Sequence, residues 1–321
     1  MPMNRRRLLT GISAALASTV APATAVTLLP RKHDDGLGEW QTITSVPTPR
    51  EGVGVASLRE RLYVVGGLSP AGAALNEVYD PALDLWFERA PLPRALDHVG
   101  AVGLADRIFV VGGFDGTTPV SDAFVYDPLA DAWQTIAPLP APCGALALLT
   151  FDGKLYAIGG RSLKGVSADH YRYDPQTNAW EQLAPLLRAR SHVQAAVLDG
   201  QPHVVGGRIE TPAHSVTDHE YYDVFYDKWA KAPPPLTARS GGAAAVLGDR
   251  LLVVGGENAT TVFFQNEAFD YKSQTWATLA AMPHPRHGIG AAVVGSTLYV
   301  PAGATEPGTA QPSDINEAFT F

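Results

Sequence analysis

The chain has 321 residues, 46% of them apolar, and 24 basic against 32 acidic side chains give a formal net charge of −8. That balance argues against a general binder of nucleic acid or anionic membrane, and a single cysteine leaves no internal disulfide framework. Stability must come from apolar packing, for which one large domain of this composition has ample material.

The first 25 residues read as an export address. Asn4-Arg5-Arg6-Arg7-Leu8-Leu9-Thr10 precedes an alanine-rich apolar run, and Ala23-Thr24-Ala25 offers an A-x-A cleavage site, the order of a secretory signal peptide. The Arg-Arg-x-Leu-Leu core resembles the twin-arginine export signal; an ordinary secretory signal fits the same arginines. A membrane anchor fits less well, because the apolar run is short and broken by Ser, Thr and Pro. Removing the segment takes away three arginines and no acid, moving the net charge from −8 to about −11. The implied location is periplasmic or secreted, with no membrane association after cleavage. Residues 26–37 read as a flexible polar lead-in, and order is expected near Glu39-Trp40.

Beyond this point the chain repeats. Leu62-Tyr63-Val64-Val65-Gly66-Gly67 recurs at 108–113, 155–160, 202–207 and 251–256, and in worn form as Leu298-Tyr299-Val300-Pro301-Ala302-Gly303. Each copy is a short β-branched run stopped by glycine, which predicts a buried strand entering a loop. Tyr79-Asp80-Pro81, Tyr126-Asp127-Pro128, Tyr173-Asp174-Pro175, Tyr222-Asp223 and Phe269-Asp270 follow the glycines. Seven residues after each aromatic stands Trp86, Trp133, Trp180, Trp229 or Trp276. The first glycines at 66, 112, 159, 206 and 255 give a spacing of 46 to 49 residues, the mark of stacked supersecondary units. These co-spaced features closely resemble the kelch repeat, over about residues 38–321. The resemblance implies an all-β, six-bladed kelch-type β-propeller with one four-stranded blade per repeat. Trp40 has no Gly-Gly before it, whereas the last repeat stops after Asn316-Glu317-Ala318-Phe319. The N-terminal strand should therefore join the last blade and close the ring, removing exposed edges.

Most motif residues are scaffold, so chemistry must be sought elsewhere. Strand alternation sends the Gly-Gly loops and interblade links to one face, where loops vary, and the tight turns to the other. Counting back sixteen residues from each first glycine gives Arg50, Leu96, Cys143, Arg190, Arg239 and, from Ala302, Arg286. Four blades would thus point an arginine at the channel mouth, with His98, His192 and His287 close by in register and Arg161, Arg208, Glu257 and Glu306 on the adjoining loops. Arginine forks suit a carboxylate or sulfate; the same forks also suit interblade carbonyls and neighbouring acids, and both uses fit the pattern. Glu220 shares the register of Glu77, Glu267 and Glu317, which reads as structural. His214 and Asp218 could serve as metal ligands, but no spacing resembles a known metal motif, and no metal or cofactor is expected.

Three functions fit. The first is an exported module binding a small anionic ligand, such as a sugar acid, or a protein partner through the variable-loop face. The second is a sugar-acid enzyme, since exported bacterial kelch propellers include the sialic acid mutarotases, which this chain resembles at fold level; Glu257, Glu306, His98 or His192 would supply the acid or base. The third is a copper-radical oxidase of the galactose-oxidase type, for which only Cys143 is available as the crosslinked cysteine. Fold alone does not choose among them.

Overall fold

A computed structural model describes residues 36–308 and 311–321; the export address and nearly all of the lead-in lie outside the described residues. Every repeated apolar run becomes the second strand of a four-stranded antiparallel sheet, and there are six such sheets. Blade one comprises Gly54–Leu58, Arg61–Val65, Asn76–Asp80 and Leu85–Glu88, and blades two to five repeat that plan from Gly100, Ala147, Gln194 and Ala243. Blade six joins Ala292–Val294, Thr297–Pro301 and Asn316–Thr320 to the N-terminal strand Glu39–Thr42, with Trp40 opposite Phe319. The six-bladed propeller closed by the Trp40 strand, expected from the repeats, is the observed fold.

The first strand of each blade is innermost and packs against the first strands of its neighbours around the axis. Apolar cores lie between blades rather than within them: Tyr63 and Val65 of blade one share a buried cluster with Ile108, Phe124 and Tyr126 of blade two. The first glycine of each pair lets this stacking happen. At Gly66, with φ of +66°, a Cβ would sit 2.5 Å from the carbonyl oxygen of Leu96, so a side chain there would push the next blade away.

Each tryptophan ties its blade to the one before it. The indole N–H of Trp86 donates to Thr44 O at 3.0 Å, that of Trp133 to Ala90 O at 2.8 Å and that of Trp180 to Ala137 O at 2.8 Å. Trp229 and Trp276 continue the series onto Ala184 and Pro233, and Trp40 completes it by donating to Ala280 O at 2.7 Å. The ring is therefore closed twice, by sheet pairing and by the last of six equivalent indole bonds.

Candidate functional site

The arginines expected at the channel mouth lie inside their blades instead. Arg50, Arg190, Arg239 and Arg286 are all fully buried. Arg50 pairs with Glu77, Arg190 with Glu220 at 2.8 Å, Arg239 with Glu267, and Arg286 with Glu317 at 2.6 Å. Each also donates to a main-chain carbonyl: Val64 O for Arg50 at 2.9 Å, Gly206 O for Arg190 at 2.7 Å, Gln265 O for Arg239 at 2.9 Å and Ala302 O for Arg286 at 2.6 Å. The reason is local. At the foot of the Gly-Gly loop a long side chain finds buried carbonyls and, on the third strand, an acid that would otherwise be stranded. Where the arginine is missing, the acid is missing too. Leu96 is matched by Phe124 in a shared buried cluster, and Cys143 by Tyr171. These four arginines are scaffold, and the register of Glu77, Glu220, Glu267 and Glu317 is structural.

Two residues beyond each arginine position the chain reaches the axis. Gly52, His98, Ala145, His192, Gly241 and Gly288 all have φ between +49° and +63°. Each N–H donates to the carbonyl of its counterpart in the preceding blade, at 2.6 to 3.0 Å, so six main-chain hydrogen bonds form a closed ring. With the residues that follow them they line an axial cavity of about 90 Å³. The ring is chemically two-sided. His98 and His192 meet edge to face with centroids 5.2 Å apart, and Ala145 in the blade between them leaves the room. The other half consists of Gly241, Gly288 and Gly52, which present no side chains.

The register just before the ring, together with the first residues of the loops, supplies the polar wall. Asp97 Oδ1 lies 2.6 Å from His98 Nδ1. Arg208 donates through Nη1 to Glu257 Oε1 and through Nη2 to His192 Nε2, both at 2.8 Å. A guanidinium only donates, so His192 carries its proton on Nδ1, facing Ser191 Oγ at 3.0 Å. The other oxygen of Glu257 accepts the Gly308 N–H at 2.9 Å. His287 Nε2 donates to Glu306 O at 2.8 Å, while its Nδ1 lies 3.6 Å from Glu257 and its Nε2 3.8 Å from Glu51. Arg161 is exposed and reaches Glu210 O at 3.2 Å. His214 is exposed on the blade-four loop, and Asp218 pairs with Arg188 at 3.0 Å.

The mouth is thus not the expected ring of cations. Glu51, Asp97 and Glu257 are buried carboxylates there, and Arg208 is the half-buried guanidinium among them. Burial, then the charges of Glu257 and Asp97 acting against that of His98, pushes Glu51 up to about 7. Burial and the neighbouring Arg208 hold His192 well below the ordinary histidine range, so it is neutral at pH 7. The sequence reading missed Glu51 and Asp97. Both stand one place after the counted arginine register, in line with His287, and shifting the count by one would have found an acid in blades one and two. Cys143 packs with Leu139, Leu146 and Ala157, and burial raises its thiol to about 12. Among the described residues no group of three or more His, Cys, Asp or Glu is arranged to hold a metal ion.

No curated protein matches this sequence. The solved structure of YjhT superposes with a TM-score of 0.73 at 16% identity, covering 85% of this chain and 96% of YjhT; at that identity the likeness shows the fold alone. A family model for the KLHDC2/KLHL20/DRC7 Kelch-repeats domain matches residues 37–207, and one for the Kelch motif matches residues 238–283. The first alone spans more than half of the chain and the second falls on blade five, so the chain belongs to the kelch-repeat family of β-propellers.

Proposed function

We propose that this propeller is a binding module whose site is the channel mouth on the loop face, and that the ligand is a small polar molecule. One observation carries the reading: three histidines and three buried carboxylates from five different blades converge with Arg208 on the two-sided ring, though the fold needs none of them there. Gly241 and Gly288 show that glycine suffices at the ring, and scaffold positions in this chain repeat from blade to blade. A protein partner would engage the same rim through the variable loops. An anionic sugar acid is the weaker version of the ligand, because four of its expected clamps are committed inside the blades and Arg208 is engaged by Glu257 and His192.

Imidazole signals followed by NMR, against neutral, acidic and basic sugars, test the site. Ligand-dependent shifts of His98 and His192, lost in His192→Ala at unchanged melting temperature, support it. Binding that persists undiminished in His98→Ala, His192→Ala and Arg208→Ala would place the ligand elsewhere.

A second reading is proton-transfer chemistry on a sugar ring. It is favoured by Glu51, whose carboxyl is poised near neutrality beside His287, since ring-opening needs one group to take a proton and another to give one. Accelerated anomer exchange that is abolished by Glu51→Gln tests this version; exchange at the uncatalysed rate eliminates it. Export is part of the proposal, supported by Arg5-Arg6 and Ala23-Thr24-Ala25. Replacing Arg5 and Arg6 with lysine should retain precursor inside the cell if the twin-arginine route is used, and normal export of that variant would leave the ordinary route.

A further inference from the structure

In the register beside the ring, every polar side chain except one has a hydrogen-bond partner. Asp97 has His98, Ser191 has His192, Ser240 receives the Ser215 hydroxyl at 3.1 Å, and His287 has Glu306 O. Glu51 is 2% exposed and, among the described residues, accepts no hydrogen bond. His287 Nε2 lies 3.8 Å away and is already directed at Glu306 O. The chain explains the orphan. Asp97 is followed by a histidine but Glu51 by Gly52, so blade one lacks the imidazole that satisfies its neighbour. Leu68, the bridge partner of Glu51, has no side-chain donor to offer. Glu51 Oε2 stands 3.3 Å from where a Cβ on Gly288 would lie, which puts the carboxylate at the glycine half of the ring.

A buried carboxylate without donors is unfavourable unless it is neutralised or meets a positive charge. The surrounding chain supplies that charge only in part, through His98, whose effect is smaller than that of burial. Glu257 and Asp97 add to the negative side, and Arg208 commits both of its terminal nitrogens to Glu257 and His192. The upward displacement of Glu51 to about 7 is what a carboxyl lacking a full counter-charge shows. The net charge of −8 also draws cations toward the surface.

We propose that the glycine half of the mouth binds a small organic cation, with its ammonium group held by Glu51 and with Glu257 contributing from the adjoining wall. The proposal rests on the site reading above and fixes its ligand class. Gly241, Gly288 and Gly52 give the ammonium room, and the paired imidazoles of His98 and His192 bound the opposite side. The titratable and charged groups facing Glu51 are Asp97, His98, Glu257 and His287. A cation there favours ionised Glu51, so binding releases a proton near neutral pH and tightens as the pH rises through 7.

The test uses one two-carbon frame in three charge states on the full chain: ethanolamine, ethylene glycol and glycolate, titrated while the histidine signals are followed by NMR. Ethanolamine should shift His98 and His287, bind more tightly at pH 8 than at pH 6, and weaken about tenfold to a hundredfold in Glu51→Gln. That variant keeps the side chain's shape and should melt no lower than the parent, because it removes an unpaired buried charge. Glycolate shifting the same signals while ethanolamine does not would overturn the cation assignment and leave the site standing. Silence of all three probes would overturn both. Ethanolamine binding with unchanged affinity in a folded Glu51→Gln protein would overturn the role of this carboxylate.

Discussion

Arg239 and Leu96 occupy the same register in different blades, and the comparison shows what the buried arginines do. Arg239 is wholly buried against Glu267 and the carbonyls of Gly255 and Gln265. Truncating it leaves Glu267 buried and unpaired, a loss of about 3–5 kcal/mol, so Arg239→Ala should lower the melting temperature sharply. Blade two solves the same position with Leu96 and Phe124. The double variant Arg239→Leu with Glu267→Phe should therefore recover most of that loss, read as a double-mutant cycle in urea. A double variant no more stable than Arg239→Ala would mean the ion pair is needed for more than filling its place. The sequence made the arginine register visible but not its direction, because spacing gives the position along a strand and not which way a side chain is drawn. The covarying glutamates were the available signal: wherever Arg is replaced by Leu or Cys, the acid has become Phe or Tyr.

Elements were far more legible than side chains. A β-branched run ending in glycine and repeated at a near-constant interval leaves little choice but stacked blades, and the unmatched Trp40 identified the strand that closes the ring. What the sequence did not disclose is that closure also uses an indole bond, since Trp40 reaches Ala280 of the preceding interblade link at 2.7 Å. Its ring packs against Phe319 at a 49° tilt with centroids 5.1 Å apart. Trp40 is half-buried, so Trp40→Ala should cost roughly 2 kcal/mol, about half the loss typical of a fully buried aromatic. The location of that loss matters more than its size. In Trp40→Ala, hydrogen exchange should accelerate in Glu39–Thr42 and Asn316–Thr320 ahead of the other blades, because the terminal strand alone lacks a covalent turn to its partner. In Trp133→Ala, where the blade is continuous, exchange should rise by less. Equal acceleration in the two variants would show that the ring has no weak seam.

Across the whole molecule, acid should loosen one side of the ring before the other. In every blade but the second, which has Ala123, the first residue of the third strand satisfies a carbonyl of an interblade link. Asn76, Asn266 and Asn316 bond Ala90 O, Ala280 O and Thr44 O, whereas blades three and four use His170 to Ala184 O at 3.1 Å and His219 to Pro233 O at 2.8 Å. Both imidazoles are buried, and burial lowers each to about 4. The unfolded chain takes up a proton at each near pH 6.5 while the native fold resists until about 4, so the unfolded state binds more protons in between and stability falls as the pH drops from 6.5 toward 4. A difference of that size is worth roughly 3 kcal/mol per histidine at the lower end. Glu51 works the other way, because a carboxyl raised to about 7 is protonated earlier in the native state and stabilises it as the pH falls from there. One such group offsets part of the loss from two histidines, so the net slope remains destabilising. Three blades already show the remedy: His170→Asn with His219→Asn retains a donor for each carbonyl and removes the proton acceptor. Urea unfolding at pH 7.5 and pH 5 should therefore differ strongly for the parent and less for the double variant, in which His192 and His203, also held low by burial, keep the remaining acid loss. An unchanged pH dependence in the double variant would assign the acid sensitivity to other groups and show that these two histidines are not its source.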